Sequence, residues 1–219
     1  MRAQESTREA RSPGQVEIFS RDLPPEVYGM LAASGRVAWD IETNGLEPQD
    51  AQIGTCQLHS PGVGAFIITG LAGEEPPMLT RLLSNERVQK VFHHAPFDLS
   101  FMAHAWKAEP RNVACTKIAA KLLAPSAPAE EHSLKYLMQH HFNVRLNKRL
   151  RFTDWMSDTL SPHQIEYAVG DVMKLLDLYD LLKSAMDAEG LIDLYEKCLH
   201  FLPTHVTLRL HGCPDPFKY

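Results

Sequence analysis

Residues 36–43 read RVAWDIET, and Asn44-Gly45 follows at once. Val, Trp and Ile interleaved with polar residues is strand composition, and Asn-Gly is a turn signal. Side chains two apart on a strand share a face. Asp40 and Glu42 therefore stand side by side, while Trp39 and Ile41 point the other way, toward a core. Two neighbouring carboxylates repel each other unless a cation joins them, and hard oxygen ligands suit Mg²⁺ or Mn²⁺. A solvent-facing acidic pair has the same spacing, so the stretch defines a strand before it defines a function.

Working outward, VEIF (16–19) has the composition of a short strand, and Pro24-Pro25 opens a helix reaching about Leu31. After the central stretch, AQIGTCQLHS (51–60) alternates and stops at Pro61-Gly62, and GAFIIT (64–69) is the next strand. Closely spaced strands with short turns imply an antiparallel meander. Strands and helices then alternate: a helix at 78–83, a strand at 88–94, a helix at 97–106, a strand at 112–115 and a helix at 116–123. Pro and Ser mark 124–132 as a loop, and 133–141 is helical again.

A capped helix starts at Ser161, with Pro162 at its first position and Gln164 completing a capping box. Its apolar stripe, from Ile165 to Tyr179, predicts one helix running to about Met186. Beyond it, 191–199 reads as a helix, and the alternation of Val206, Leu208 and Leu210 as a final strand. Strands followed by alternating strands and helices define an α/β layered fold with a mixed sheet.

The 219 residues suffice for one such domain, 44% apolar and 22% charged as in an ordinary soluble protein. No apolar run is long enough to span a bilayer. The first fifteen residues mix Arg with Glu, lack a signal-peptide core and read as a disordered tail. Four widely spaced cysteines form no CxxC pair, which argues for reduced thiols and a cytoplasmic location rather than disulfides or a thiolate zinc site. A net charge of −5 excludes a protein that coats long nucleic acid. It leaves room for a local basic cluster, and VRLNKRLRF supplies one with Arg145, Lys148, Arg149 and Arg151. By itself such a cluster is an ordinary solvated face.

Other residues carry chemistry only in company. Asp98 stands early in a helix that follows a strand, where an acid is simply good helix chemistry. Tyr167 and Asp171 are four apart, on one helical face at the edge of the apolar stripe. Gly170 between them costs about 1 kcal/mol in a helix interior, and its lack of a side chain would allow close approach. His93 and His94 are adjacent and so diverge, which argues against a shared metal.

The order DxE on a first strand, FD at a strand-to-helix junction and YxxxD on a capped later helix resembles the tyrosine branch of the DEDD exonuclease superfamily. More specifically, WDIETNGL, VFHHAPFDLSFM, CTKIAAKLL, SLKYL and LSPHQIEYAVGDVMKLLDLY resemble segments of RNase D and its short relatives, in family order over about residues 36–185. The histidine branch fits poorly, because its histidine would fall where this chain has Glu166. The resemblance implies a ribonuclease H-like fold, a mixed five-stranded sheet flanked by helices. The exonuclease domain would cover 16–189, with 190–219 a helix-and-strand extension packed on it.

The resemblance also implies the site. Asp40, Glu42, Asp98 and Asp171 would hold two divalent ions, Mg²⁺ or Mn²⁺, and Tyr167 would place the attacking water. A phenol with a pKa near 10 suits orienting that water better than deprotonating it. Leu46 would pack on the terminal base. Thr43, His94, Arg145, Lys148 and Arg149 would touch substrate, and Thr153-Asp154-Trp155 would give structural support.

The implied reaction removes nucleoside 5′-monophosphates from the 3′ end of RNA. The short chain and the CTKIA form, shared with short RNase D-like proteins such as nanoRNase C, raise a second reading: a nuclease for very short oligoribonucleotides. A proofreading-like exonuclease for single-stranded DNA and a non-catalytic nucleic-acid-binding protein are further alternatives, the last opposed by the complete acid set. No membrane partner is implied, and self-association is left open.

Overall fold

A computed structural model describes residues 16–73, 75–146, 150 and 153–218. The N-terminal fifteen residues, Lys148, Arg149 and Arg151 lie outside the described residues. The strands are β1 (Val16–Ser20), β2 (Arg36–Thr43), β3 (Ile53–Ser60), β4 (Gly64–Thr69), β5 (Gln89–Phe92) and β6 (Val113–Cys115). They form one mixed sheet in the order β1-β4-β3-β2-β5-β6. The expected meander is β2-β3-β4, antiparallel throughout, while β5 joins β2 and β6 joins β5 in parallel. The sheet has six strands rather than five, because VEIF pairs in parallel with β4 and extends that edge.

The helices are α1 (Pro25–Ser34), α2 (Pro77–Leu83), α3 (Ala95–Trp106), α4 (Thr116–Leu123), α5 (Leu134–Phe142), α6 (Pro162–Val172), α7 (Leu175–Ala188) and α8 (Ile192–Leu210). The loop at 124–132 ends in a short 3-10 turn, Ala129–His132. On one face of the sheet, Trp39, Ile41, Leu58 and Phe66 pack with residues of α1, α2, α3 and α8. On the other, Ala38, Val91 and Ala114 pack with α4, α5 and α7, and Ile67 packs with α6. This two-sided covering explains why the strands read as nearly continuous apolar runs away from the site.

Two expectations fail at the C-terminal end. The single helix expected from Ser161 to about Met186 breaks after Val172, and α7 starts at Leu175. Its apolar stripe is continuous, with Ala168, Val172, Leu175, Leu176 and Tyr179 all buried. However, α6 lies on β2, β3 and β4, whereas α7 lies on β2 and β5. A twisted sheet turns away beneath a straight helix, so the break keeps both halves in contact. The expected final strand is instead the second half of α8, despite Pro203 inside it. Leu199, Leu202, Val206 and Leu210 recur at helical spacing and join the core around α3. That burial outweighs the roughly 3 kcal/mol an interior proline costs.

Candidate active site

The site forms where β2 outruns β5. Pairing between them ends at Ala38 and Val91, so the acidic end of β2 has only β3 beside it. The chain leaving β5 turns at once into α3, whose first turn is laid against that open edge. Asp98 there is buried, and its carboxylate accepts hydrogen bonds from its own N–H and from that of Ile41. A local device thus joins the FD motif to the DxE strand: an unpaired strand edge meeting a helix N-terminus.

Asp40 and Glu42 share the β2 face that α6 covers, opposite the buried Trp39 and Ile41, as alternation requires. From α6 come Tyr167 and Asp171, one turn apart and both buried. Carboxylate oxygens of Asp40, Glu42 and Asp171 all lie within 4.8 Å of one another. Asp98 stands beside this trio. Burial pushes its pKa well above the ordinary carboxylate value; the charge of Asp40, and more weakly that of Asp171, pushes the same way, while the two N–H groups oppose them. Such crowding of acids is unfavourable in the protein alone. An all-oxygen, anionic donor set of this size fits a hard divalent cation, which reverses the sign of the crowding.

Tyr167 is held from behind. Its ring lies 5.5 Å from that of the buried Trp155, tilted by 41°. The Trp155 backbone is pressed onto β3 at Gly54, where a Cβ would fall 2.3 Å from the Trp155 carbonyl oxygen. Only glycine permits that approach. The Thr153-Asp154-Trp155 segment is also tied to α6, since the Gln164 amide donates to the Asp154 carbonyl at 2.9 Å. The structural support expected of this segment is therefore present. Gly170 has a smaller part: a Cβ there would meet Leu146 at 3.6 Å, an ordinary contact, so no close approach demands it.

The peripheral residues divide. Thr43 ends β2 and donates to the Gly45 carbonyl at 2.6 Å, closing the turn. Leu46, 61% exposed, projects from that turn. Arg145 is exposed on the segment leading from α5 toward α6. Strand β5 ends at Phe92, so neither His93 nor His94 stands on the strand expected over 88–94. His93 meets the Thr116 hydroxyl at 2.9 Å, whereas His94 is exposed as a residue. The His94 ring is nonetheless partly desolvated and faces Lys117, Arg209, Lys121 and His205, so its pKa falls to about 4. These five basic side chains line one pocket of about 350 Å³.

Sequence reading did not anticipate this basic pocket. Lys117 and Lys121 are one turn apart on α4, a usable but unspecific signal. Arg209 and His205 carry none, because the alternation of Val206, Leu208 and Leu210 predicts a strand over that segment. Arg209 also donates to the Leu46 carbonyl at 2.9 Å, tying the end of α8 to the turn after β2.

A partly buried acid cluster with a tyrosine one helical turn from its Asp171, on a sheet of this topology, is the kind of site a metal-dependent nuclease uses. Residues 16–197 match the 3′–5′ exonuclease family, and the chain belongs to that family. Ribonuclease D of Haemophilus influenzae is 30% identical over 161 residues, 74% of this chain but 39% of that protein. The chain thus spans about two fifths of the length of the ribonuclease D relatives it matches. The structure of Brucella melitensis NrnC bound to pGG superposes with a TM-score of 0.85 at 32% identity, covering 95% of this chain and 100% of the other. The same protein with bound Mg²⁺ gives 0.84 at 31% identity, covering 93% and 98%. Among the described residues, no helix is long and apolar enough to cross a membrane.

Proposed function

We propose that this chain hydrolyses phosphodiester bonds from the 3′ end of RNA, releasing nucleoside 5′-monophosphates, with residues 16–189 as the exonuclease domain and α8 packed on it. The observation that carries this reading is the convergence of Asp40, Glu42 and Asp171 within 4.8 Å, with Asp98 and Tyr167 alongside. The four acids would hold two divalent ions, Mg²⁺ or Mn²⁺. When bound, such ions supply a water acidic enough to attack at neutral pH and charge to steady the leaving 3′-oxygen.

The rest of the chemistry belongs to the chain. A phenol with a pKa near 10 keeps its proton at neutral pH. The Tyr167 hydroxyl therefore orients the attacking water in line with the scissile bond and is not its base. Trp155 fixes the phenol ring, so little is lost in freezing it during the reaction. Leu46, already exposed, packs on the terminal base. Thr43 and His94 contact the substrate near the reacting end, and Arg145, Lys148 and Arg149 contact its phosphates.

Very short oligoribonucleotides are the favoured substrate class. What supports this is the likeness to NrnC, a protein seen bound to pGG, over nearly the whole of both chains. The test is a parallel assay of 5′-labelled dinucleotide, RNA twenty-mer and single-stranded DNA with Mg²⁺ or Mn²⁺. Wild type shortens RNA from its 3′ end, fastest on the dinucleotide, and Asp171→Ala does not. Full activity in that variant, or none in wild type with either metal, overturns the exonuclease reading. Equal or faster cleavage of the twenty-mer overturns the length preference alone, and faster cleavage of DNA overturns the choice of RNA.

A further inference from the structure

Strand β3 carries a second row of polar groups beneath α6. Across the β2–β3 pairing, Asp40 stands opposite Gln57 and Glu42 opposite Thr55. Residues directly opposite in a sheet share a face and touch, so Gln57 and Thr55 lie beside the two acids. Both are fully buried. The next strand over places Ile67 opposite Gln57, so this face turns apolar within one strand of the acids.

The Gln57 amide donates to the Thr55 hydroxyl at 2.6 Å. Its side chain thus runs along β3 toward Thr55, and hence toward the end of β2 where Glu42 stands. The Gln57 carbonyl oxygen is buried and has no hydrogen-bond partner. A buried, half-satisfied amide destabilises a sheet relative to an apolar residue of the same shape. Stability therefore does not explain a glutamine here. A hydroxyl that accepts one hydrogen bond still has its own proton to give. Directly across the ladder from Thr55 stands Glu42, which carries a carboxylate able to accept it.

We propose that Gln57 and Thr55 are positioning residues: Gln57 orients the Thr55 hydroxyl so that it donates to Glu42, fixing the carboxylate that faces the cation. The relay rests on the reading of the four acids as cation ligands. Groups that orient a metal ligand change affinity by about 10–100-fold when removed, and they do so without touching metal or substrate.

The test is calorimetric titration of Mn²⁺ into the full chain, beside thermal melts. Thr55→Val keeps the shape and removes the hydroxyl; it binds Mn²⁺ about tenfold more weakly. Thr55→Ser restores the hydroxyl and binds within about twofold of wild type. Gln57→Met also binds more weakly, yet melts no lower than wild type, because the orphan oxygen is gone. A merely structural role would lower the folded fraction, and so the binding stoichiometry, without changing the dissociation constant. Equal affinities for Thr55→Val and Thr55→Ser overturn the relay, whether both match wild type or both fall short. Should Thr55→Val not fold, wild-type affinity in Gln57→Met overturns it. Absence of Mn²⁺ binding by wild type overturns the reading of the acids themselves, and the relay with it.

Discussion

The end of β2 and the end of α8 meet at one corner of the molecule, where Arg209 donates to the carbonyl of Leu46. They were not equally legible. In β2, alternation over eight residues fixes which side chains share a face, and the acids stand where that rule puts them. In α8, Val206, Leu208 and Leu210 satisfy strand alternation, while Leu199, Leu202, Val206 and Leu210 satisfy helical spacing. Packing on α3 decides between them. The difference teaches that a motif whose geometry is local can be read directly. A segment whose conformation depends on what it lies against cannot.

The largest way to break this comparison is through β3, which supports both the acids and Tyr167. Gly54→Ala drives a methyl into the Trp155 carbonyl, for which the Cβ separation would be 2.3 Å. Trp155 must move, and Tyr167 with it. We expect loss of about 100-fold in exonuclease rate, since small misplacements carry costs of that order, with metal affinity largely kept. Near-wild-type turnover would show that Tyr167 is positioned by α6 alone.

Next comes Lys90, fully buried on β5. Its ammonium donates to the Asn85 carbonyl at 2.6 Å. Burial lowers its pKa from 10.5 to about 7. The sign follows from proton binding: between about pH 7 and 10.5 the unfolded chain holds more protons on this residue than the folded one. Its contribution to stability therefore rises with pH across that window, and its full penalty applies below about 7. Lys90→Met should stabilise the chain at pH 7 by a few kcal/mol, since each pKa unit of burial-driven shift is worth about 1.4 kcal/mol. The gain should shrink toward pH 10; denaturant unfolding at several pH values measures it, and a pH-independent gain would refute the cause.

At the α8 end, the Tyr195 hydroxyl accepts from the Cys115 N–H at 2.9 Å and donates to the Cys115 carbonyl at 3.2 Å, all buried. Tyr195→Phe leaves both groups unpaired and should cost about 1–3 kcal/mol. It should also weaken hydrogen-exchange protection at residues 113–117. An unchanged melt would mean that α8 is held by its apolar contacts alone. The smallest effect is expected at Gly170, where a Cβ meets only Leu146 at 3.6 Å. Gly170→Ala should stabilise α6 by up to about 1 kcal/mol, with activity within about twofold; a large loss would show that substrate approaches this backbone.

Legibility followed the range of the interactions. The capping box at Ser161 and Gln164 is present as read, because it is built within one turn. The parallel pairing of VEIF with β4 is not legible in the sequence, because nothing in those residues names a partner. Nor is the break at Met173, which answers the twist of the sheet below. The basic pocket is not legible either, because Lys117 and Arg209 come together only after α4 and α8 are in place.

By itself, the sequence determined the shared face of Asp40 and Glu42, the pairing of Tyr167 with Asp171 along one helix and the order of the motifs. Each depends only on the repeat of a strand or a helix. Tertiary structure alone decided that β2 outruns β5 and so opens an edge for Asp98, and that Trp155 seats on Gly54 behind Tyr167. It alone placed Gln57 and Thr55 beside the acids and folded the last segment as helix. Those outcomes depend on which surfaces are left to cover once the sheet is formed, a quantity no single segment carries.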